Sequence, residues 1–299
     1  MTLIRPRRSA LYMPGANPRA ISKARTLPAD CVILDLEDSV APEMKEAARA
    51  AVVAAVGDGG FGSREVVIRV NGPATPWGTD DLKAAIEAGA DAILLPKVSD
   101  PQAIAAAELA LATARAPESL RLWAMIETPL AILNLPAIAA TAGRETARLS
   151  CLVLGTNDLA KDTRARAVPG RWTMLPWLAS AVAAARAYGL DVLDGVYNDL
   201  SDVEGLRAEC EQGRDLGFDG KTLIHPNQLA HANEAFAPRA GEVEAARAIL
   251  AAFARPENAG RGVISLDGRM VERLHAAMAG RTVALADAIA QASAPSSPA

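Results

Sequence analysis

The chain has 299 residues, of which 51% are hydrophobic, 22% charged and only 4% aromatic. That is enough apolar material for one large core or two small ones, and it excludes wholesale disorder. A net charge of −4 argues against a nucleic-acid binder that works through a broad basic face.

The chain opens on RPRRSALYMPG (5–15), whose arginine pair superficially suggests an export signal. Its apolar stretch stops at Pro14, so no signal peptide is expected. From there one rhythm dominates: a short β-rich run, a turn, then an Ala-rich helical stretch. The runs are SALYMPG (9–15), CVILDLED (31–38), EVVIRVN (65–71), AILLPKV (92–98), RLWAMIET (121–128), CLVLGTND (151–158), DVLDGVYN (191–198) and GKTLIHP (220–226). Helical patterns between them include 43–56, 79–89, 100–115 and 176–188. Continuous apolar runs, rather than alternation, indicate strands buried on both faces, as in parallel sheets. Eight such units fit a (β/α)8 TIM barrel of roughly 250 residues; a doubly wound open sheet is the competing architecture. The expected barrel domain is 1–240.

A C-terminal helical extension is expected over 241–299, with helices near 241–254 and 270–290. The intervening ARPENAGRGVISLDGRM (254–270) reads as a loop, and the final ASAPSSPA as a frayed end. GDGGFG (57–62) satisfies G-x-G-x-x-G through Gly57, Gly59 and Gly62. It follows a helix and precedes a strand, the wrong context for a dinucleotide site, so it reads as a loop.

Cys31, Cys151 and Cys210 are widely spaced and lack any CxxC pattern, which suits a reducing, cytoplasmic setting. His225, His231 and His275 form no zinc pattern. No apolar run approaches the ~20 residues that span a bilayer, so neither membrane nor nucleic acid is an expected partner.

Barrel chemistry sits at the carboxyl ends of the strands. Those ends carry Asp35, Glu37, Asp38, Arg69, Asn71, Lys97, Glu127, Asp158, Asp194 and His225, and the amino ends carry no matching collection. Any one of these acids alone reads as a solvated strand end or a structural ion pair. Together they read as a lined cavity, with carboxylates for a hard oxygen-seeking metal such as Mg2+ or Mn2+. Arg69 adds a planar fork for a carboxylate. A divalent metal beside an arginine suits a 2-oxo acid.

RSALYMPG, VILDLEDSVAP, VIRVN, ILLPKV, IETP, LGTNDLA, DGVYND, GKTLIHPNQ and VISLDGRMVE occur in this order over residues 5 to 275. Together they resemble the citrate lyase β-subunit-like proteins of the HpcH/HpaI aldolase and citrate lyase family, which also holds malyl-CoA and citramalyl-CoA lyases. The resemblance implies a Mg2+-dependent carbon–carbon lyase on a modified TIM barrel, assembled as a homotrimer or hexamer. Its substrate would be an acyl-CoA thioester, cleaved to release a 2-oxo acid. It implies Glu127 and Asp158 as metal ligands, Arg69 on the substrate carboxylate, and the backbone N–H groups of Asn157 and Asp158 on its other oxygens. Glu37 and Asp38 would accept hydrogen bonds from waters on the metal and orient Arg69 or Lys97. Direct ligation by Glu37 is the alternative, and Asp35 is expected to pair with a buried cation.

The proton donor of malyl-CoA lyase-like members is an Asp in an MVD stretch. Here the stretch reads RMVE, so Glu272 stands in that place, about one methylene longer. Since a misplacement of order 1 Å can cost roughly 100-fold in rate, this departure bears on the lyase assignment. Arg7, Arg8, Arg19 and Lys23, around the first turn and helix, are the candidates for CoA phosphates, with Lys221 behind them. His225 reads as a structural hydrogen-bonding group. Two other readings stay open: a citrate lyase β subunit acting on an acyl-carrier-protein thioester, and a non-catalytic member that binds a 2-oxo acid or CoA.

Overall fold

The structure, a computed structural model, describes residues 4–293. Among these, two compact units emerge: Arg7–Phe236, and residues 237–293 together with residues 4–6.

In the larger unit eight parallel strands close into a barrel in sequence order. They are β1 (Ser9–Pro14), β2 (Cys31–Asp35), β3 (Glu65–Arg69), β4 (Ala92–Leu95), β5 (Arg121–Ile126), β6 (Leu149–Leu154), β7 (Asp191–Asp194) and β8 (Gly220–Leu223). The ring closes where Ser9, Ala10 and Leu11 pair with Lys221, Thr222 and Leu223. Helices α1 (Pro18–Ala24), α2 (Lys45–Asp58), α3 (Gly78–Ala88) and α4 (Pro101–Thr113) follow the first four strands. After β5 come α5 (Pro129–Leu133) and α6 (Leu135–Ala140), and after β6 come α7 (Thr156–Thr163) and α8 (Leu175–Ala187). The unit ends with α9 (Val203–Leu216) and α10 (Leu229–Ala235). The barrel expectation therefore holds and the open-sheet alternative falls.

Strand parity decides which residues meet inside the barrel. Ala10, Cys31, Ile33, Val67, Ala92, Leu94, Trp123, Met125, Cys151, Val153 and Leu193 form the inner core, with Tyr12 packed on it. Their neighbours Leu11, Val32, Leu34, Ile68, Ile93, Leu122 and Leu152 belong to the larger core shared with the helices. Counting two residues on from the inner set at the carboxyl ends reaches Asp35, Arg69 and Glu127. Counting two back at the amino ends reaches Glu65 and Asp191.

That lower end corrects the sequence reading twice. It does carry a charged cluster: Arg7 donates to both oxygens of Glu65 at 2.7 Å and to Asp191 at 2.6 Å, with its guanidinium 5.0 Å from the Trp123 ring. Arg7 and Arg8 therefore do not line the mouth. They precede β1, whose amino end points away from it, and Arg8 is engaged by Asp30 at 2.8 Å. Of GDGGFG, Gly57 and Asp58 close α2 and only residues 59–62 form the expected loop before β3, with Phe61 buried.

The smaller unit contains α11 (Ala240–Ala254), α12 (Arg273–Ser293) and, where a plain loop was expected, an antiparallel hairpin. Its strands are β9 (Val263–Leu266) and β10 (Arg269–Glu272). The hairpin forms because Ile264 and Val271 alternate inward onto Ala252 and Phe253 of α11. Of the expected frayed end, Ala292 and Ser293 close α12 and residues 294–299 lie outside the described residues. Among the described residues no helix is long and apolar enough to cross a membrane.

Candidate active site

Arg69 is the centre of the mouth. It is buried, and Asp35 takes it in a two-point grip, Nε to Oδ1 at 2.6 Å and Nη2 to Oδ2 at 2.7 Å. Burial would raise the Asp35 carboxyl, but the Arg69 hydrogen bonds hold it below its usual range. Asp35 also accepts the backbone N–H groups of Glu37 and Ser39, which folds the chain over the strand end. The third side of the guanidinium, Nη1, faces Glu37 Oε2 at 3.0 Å and Asp38 Oδ2 at 3.2 Å. Tyr12 lies against its face at 4.8 Å.

Below this turn Lys45 is buried and donates to the carbonyls of Leu36 and Glu37 and to Asn71 Oδ1, at 2.7–2.8 Å. The sequence reading missed it, because its α-helical position gives no hint that its ammonium reaches back under the preceding strand. Asn71 is likewise enclosed, bonded to Asp81 and Leu36.

Glu127, at the end of β5, is buried and accepts the Lys97 N–H at 2.7 Å. Lys97 adopts a left-handed backbone (φ 50°) to present that N–H, a conformation that costs a non-glycine residue of order 1 kcal/mol. Its half-exposed ammonium approaches Glu37 at 3.9 Å. Opposite, Gly155 is required by contact: a Cβ there would overlap Glu127 Cβ and come within 2.6 Å of Oε2. Gly155 precedes α7, whose first turn carries Asn157 and Asp158, and no side chain caps that turn. Its first N–H groups are left to a ligand or to solvent.

The site carries more negative charge than it neutralises. Burial pushes Glu37 up to about 8, with Asp38 and Glu127 adding to the rise against Arg69. Burial likewise pushes Glu127 up to about 7, with the Asp158 charge adding against the Lys97 hydrogen bond. Glu37 Oε2, though close to Arg69 Nη1, is buried without a hydrogen-bond partner. Among the described residues no group of three or more His, Cys, Asp or Glu is arranged to hold a metal. The donor set at the mouth suits an ion content with two carboxylates, the rest being water and substrate oxygens, which is the habit of Mg2+.

Other candidates lie elsewhere. Asp194 is wholly buried, held by Arg171 at 2.7 and 2.9 Å and by Lys221 at 3.0 Å. Lys221 itself is fully buried on β8, so it cannot meet CoA phosphates: its side chain points between β8 and α9, toward Glu209 at 2.6 Å. Arg19 and Lys23 are exposed on α1. His225 accepts the Asn227 N–H and caps a short turn, a structural task as expected. Glu272 belongs to the smaller unit, where it ends β10 and its N–H donates to His275 Nδ1 at 2.9 Å.

Comparison with known proteins agrees with this architecture. The family model for HpcH/HpaI aldolase/citrate lyase matches residues 8–226. A (3S)-malyl-CoA thioesterase from Cereibacter sphaeroides (strain KD131 / KCTC 12085) is 50% identical over 285 residues, covering 95% of this chain and 96% of that protein. Citrate lyase subunit beta from Escherichia coli (strain K12) is 36% identical over 90% of this chain and 89% of its own. Among solved structures, protein CitE from Mycobacterium tuberculosis, in complex with magnesium, acetoacetate and coenzyme A, superposes with a TM-score of 0.73 at 28% identity. That match covers 93% of this chain and 97% of that one. The chain is an enzyme of the HpcH/HpaI aldolase/citrate lyase family.

Proposed function

We propose that the mouth holds Mg2+ through Glu127 and Asp158 and cleaves a β-hydroxyacyl-CoA of the malyl-CoA or citramalyl-CoA type. The products would be an acyl-CoA and a 2-oxo acid. The observation that carries this reading is the surplus of buried carboxylate around one arginine, Asp35, Glu37 and Glu127 all lying buried at the mouth. The CitE complex with magnesium, acetoacetate and coenzyme A supports a site for a metal, an oxo acid and CoA on this fold.

Bound there, Mg2+ would supply Lewis acidity toward the oxygens of the hydroxy acid end of the substrate. Arg69, fixed by Asp35, is the cation for a carboxylate, which would take over the Nη1 edge now engaged by Glu37 and Asp38. The uncapped N–H groups of Asn157 and Asp158 take the remaining carboxylate oxygens. The β-hydroxyl gives up its proton to solvent and becomes the 2-oxo carbonyl as the carbon–carbon bond breaks, and the electron pair of that bond passes to the acyl-CoA fragment as an enolate, which must then take a proton. Glu272 is the proposed donor. Arg19 and Lys23 are proposed to meet the CoA phosphates, and the enzyme is proposed to work as a trimer or hexamer.

The thioesterase relative at 50% identity favours a second reading, hydrolysis of the thioester with the carbon skeleton intact. Product analysis separates the two. Malyl-CoA incubated with enzyme and Mg2+ should yield glyoxylate and acetyl-CoA. Malate and free CoA in their place would overturn the lyase reading in favour of hydrolysis.

A further inference from the structure

The first turn of α7 has no capping side chain of its own. A helix start is ordinarily fixed by its own capping side chain. Here the cap position is Gly155, and Glu127 fills the space a side chain would need. The end of β6 anchors it, the Gly155 N–H donating to the Ile126 carbonyl at 3.1 Å, and the rest of its orientation comes from outside.

Two contacts from the segment after β7 do this. Gly195 packs so closely on Thr156 that a Cβ would overlap its hydroxyl and lie 2.7 Å from its methyl. Asn198 then pairs with Asn157 through both amides: Asn157 Nδ2 donates to Asn198 Oδ1 at 3.1 Å, and Asn198 Nδ2 donates to Asn157 Oδ1 at 2.7 Å. The segment bearing Asn198 is itself anchored. Gly195 N–H donates to Asp194, the Tyr197 carbonyl accepts from Gln228, and the Tyr197 hydroxyl donates to Asp202, the N-cap of α9. The amide pair also borders a cavity of about 430 Å³ between this segment and the α7–α8 connection, so no packed side chain backs it on that side.

We infer that Asn198 is a positioning residue: through the reciprocal amide pair it sets the direction of the α7 N–H groups, and hence the affinity for the 2-oxo acid carboxylate. This rests on the proposed function, in which those N–H groups hold that carboxylate. Asn198 need not touch substrate. Since both amides are exposed, removing the pair leaves the barrel core intact and acts on the direction of the turn.

The test is calorimetric binding of pyruvate and glyoxylate in the presence of Mg2+, without turnover. It compares the wild type with Asn198→Ala, Asn157→Ala and the double variant. Affinity should fall on the order of tenfold in Asn198→Ala, within the range a small misplacement produces, with an unchanged melting temperature. The double variant should lose no more than either single one, the signature of a pair acting as a unit. If the wild type binds and Asn198→Ala binds equally well, or if the two losses add, the positioning role is overturned. A wild type that binds neither acid with Mg2+ present overturns the proposed function, and this inference with it.

Discussion

Gly155 and Glu127 are a matched pair, since the space a side chain would occupy at one is the carboxylate of the other. Gly155→Ala should therefore displace Glu127 and lower activity by about 100-fold, while costing about 1–3 kcal/mol of stability. Steady-state kinetics beside a denaturant titration would check both, and near-wild-type activity would detach Glu127 from the chemistry. Much of this mouth was legible as residues. Asp35, Arg69 and Glu127 end apolar runs, and strand parity carries each over the barrel interior. Lys45 and Tyr12 were not legible, because one reaches back from a helix and the other reads as an ordinary core aromatic. Arg7 was misassigned for a directional reason: proximity in sequence to the mouth motif hid that a whole strand separates them.

Among the elements, β7, β8, α9 and the α7–α8 connection meet at one buried ionic group formed by Asp194, Lys221, Arg171 and Glu209. Lys221→Met would leave the buried acids short of a cation and should cost about 3–5 kcal/mol in denaturant unfolding. Burial alone would raise the Asp194 carboxyl, yet Lys221 and Arg171 hold it below its usual value. A carboxyl lowered by folding contributes stability above its unfolded pKa, about 3.9. That contribution is lost as pH falls through the folded value. Below about pH 4, thermal stability should therefore drop, and Asp194→Asn should show a shallower drop in the same scan. The strands of the barrel were legible because continuous apolar runs announce them. The β9–β10 hairpin was not, since each strand has four residues and only Ile264 and Val271 are buried. Asp267–Gly268 between them was the available signal.

Across the whole molecule, the two ends of the barrel divide stability from chemistry. At the lower end Arg7 bridges β3 to β7 through Glu65 and Asp191, and nothing there faces the mouth. Arg7→Met should lower stability by about 3–5 kcal/mol and leave kcat of the folded fraction unchanged. At the mouth the balance reverses, because relieving a crowded carboxylate costs little stability and removes function. The most direct measurement is malyl-CoA consumption against Mg2+ concentration, with EDTA controls, for the wild type, Glu127→Gln and Asp158→Asn. The wild type should be silent in EDTA and restored by Mg2+, and both variants should lose at least about 100-fold at unchanged melting temperature. Consumption that ignores EDTA, or that survives in either variant, would contradict a metal-centred mouth.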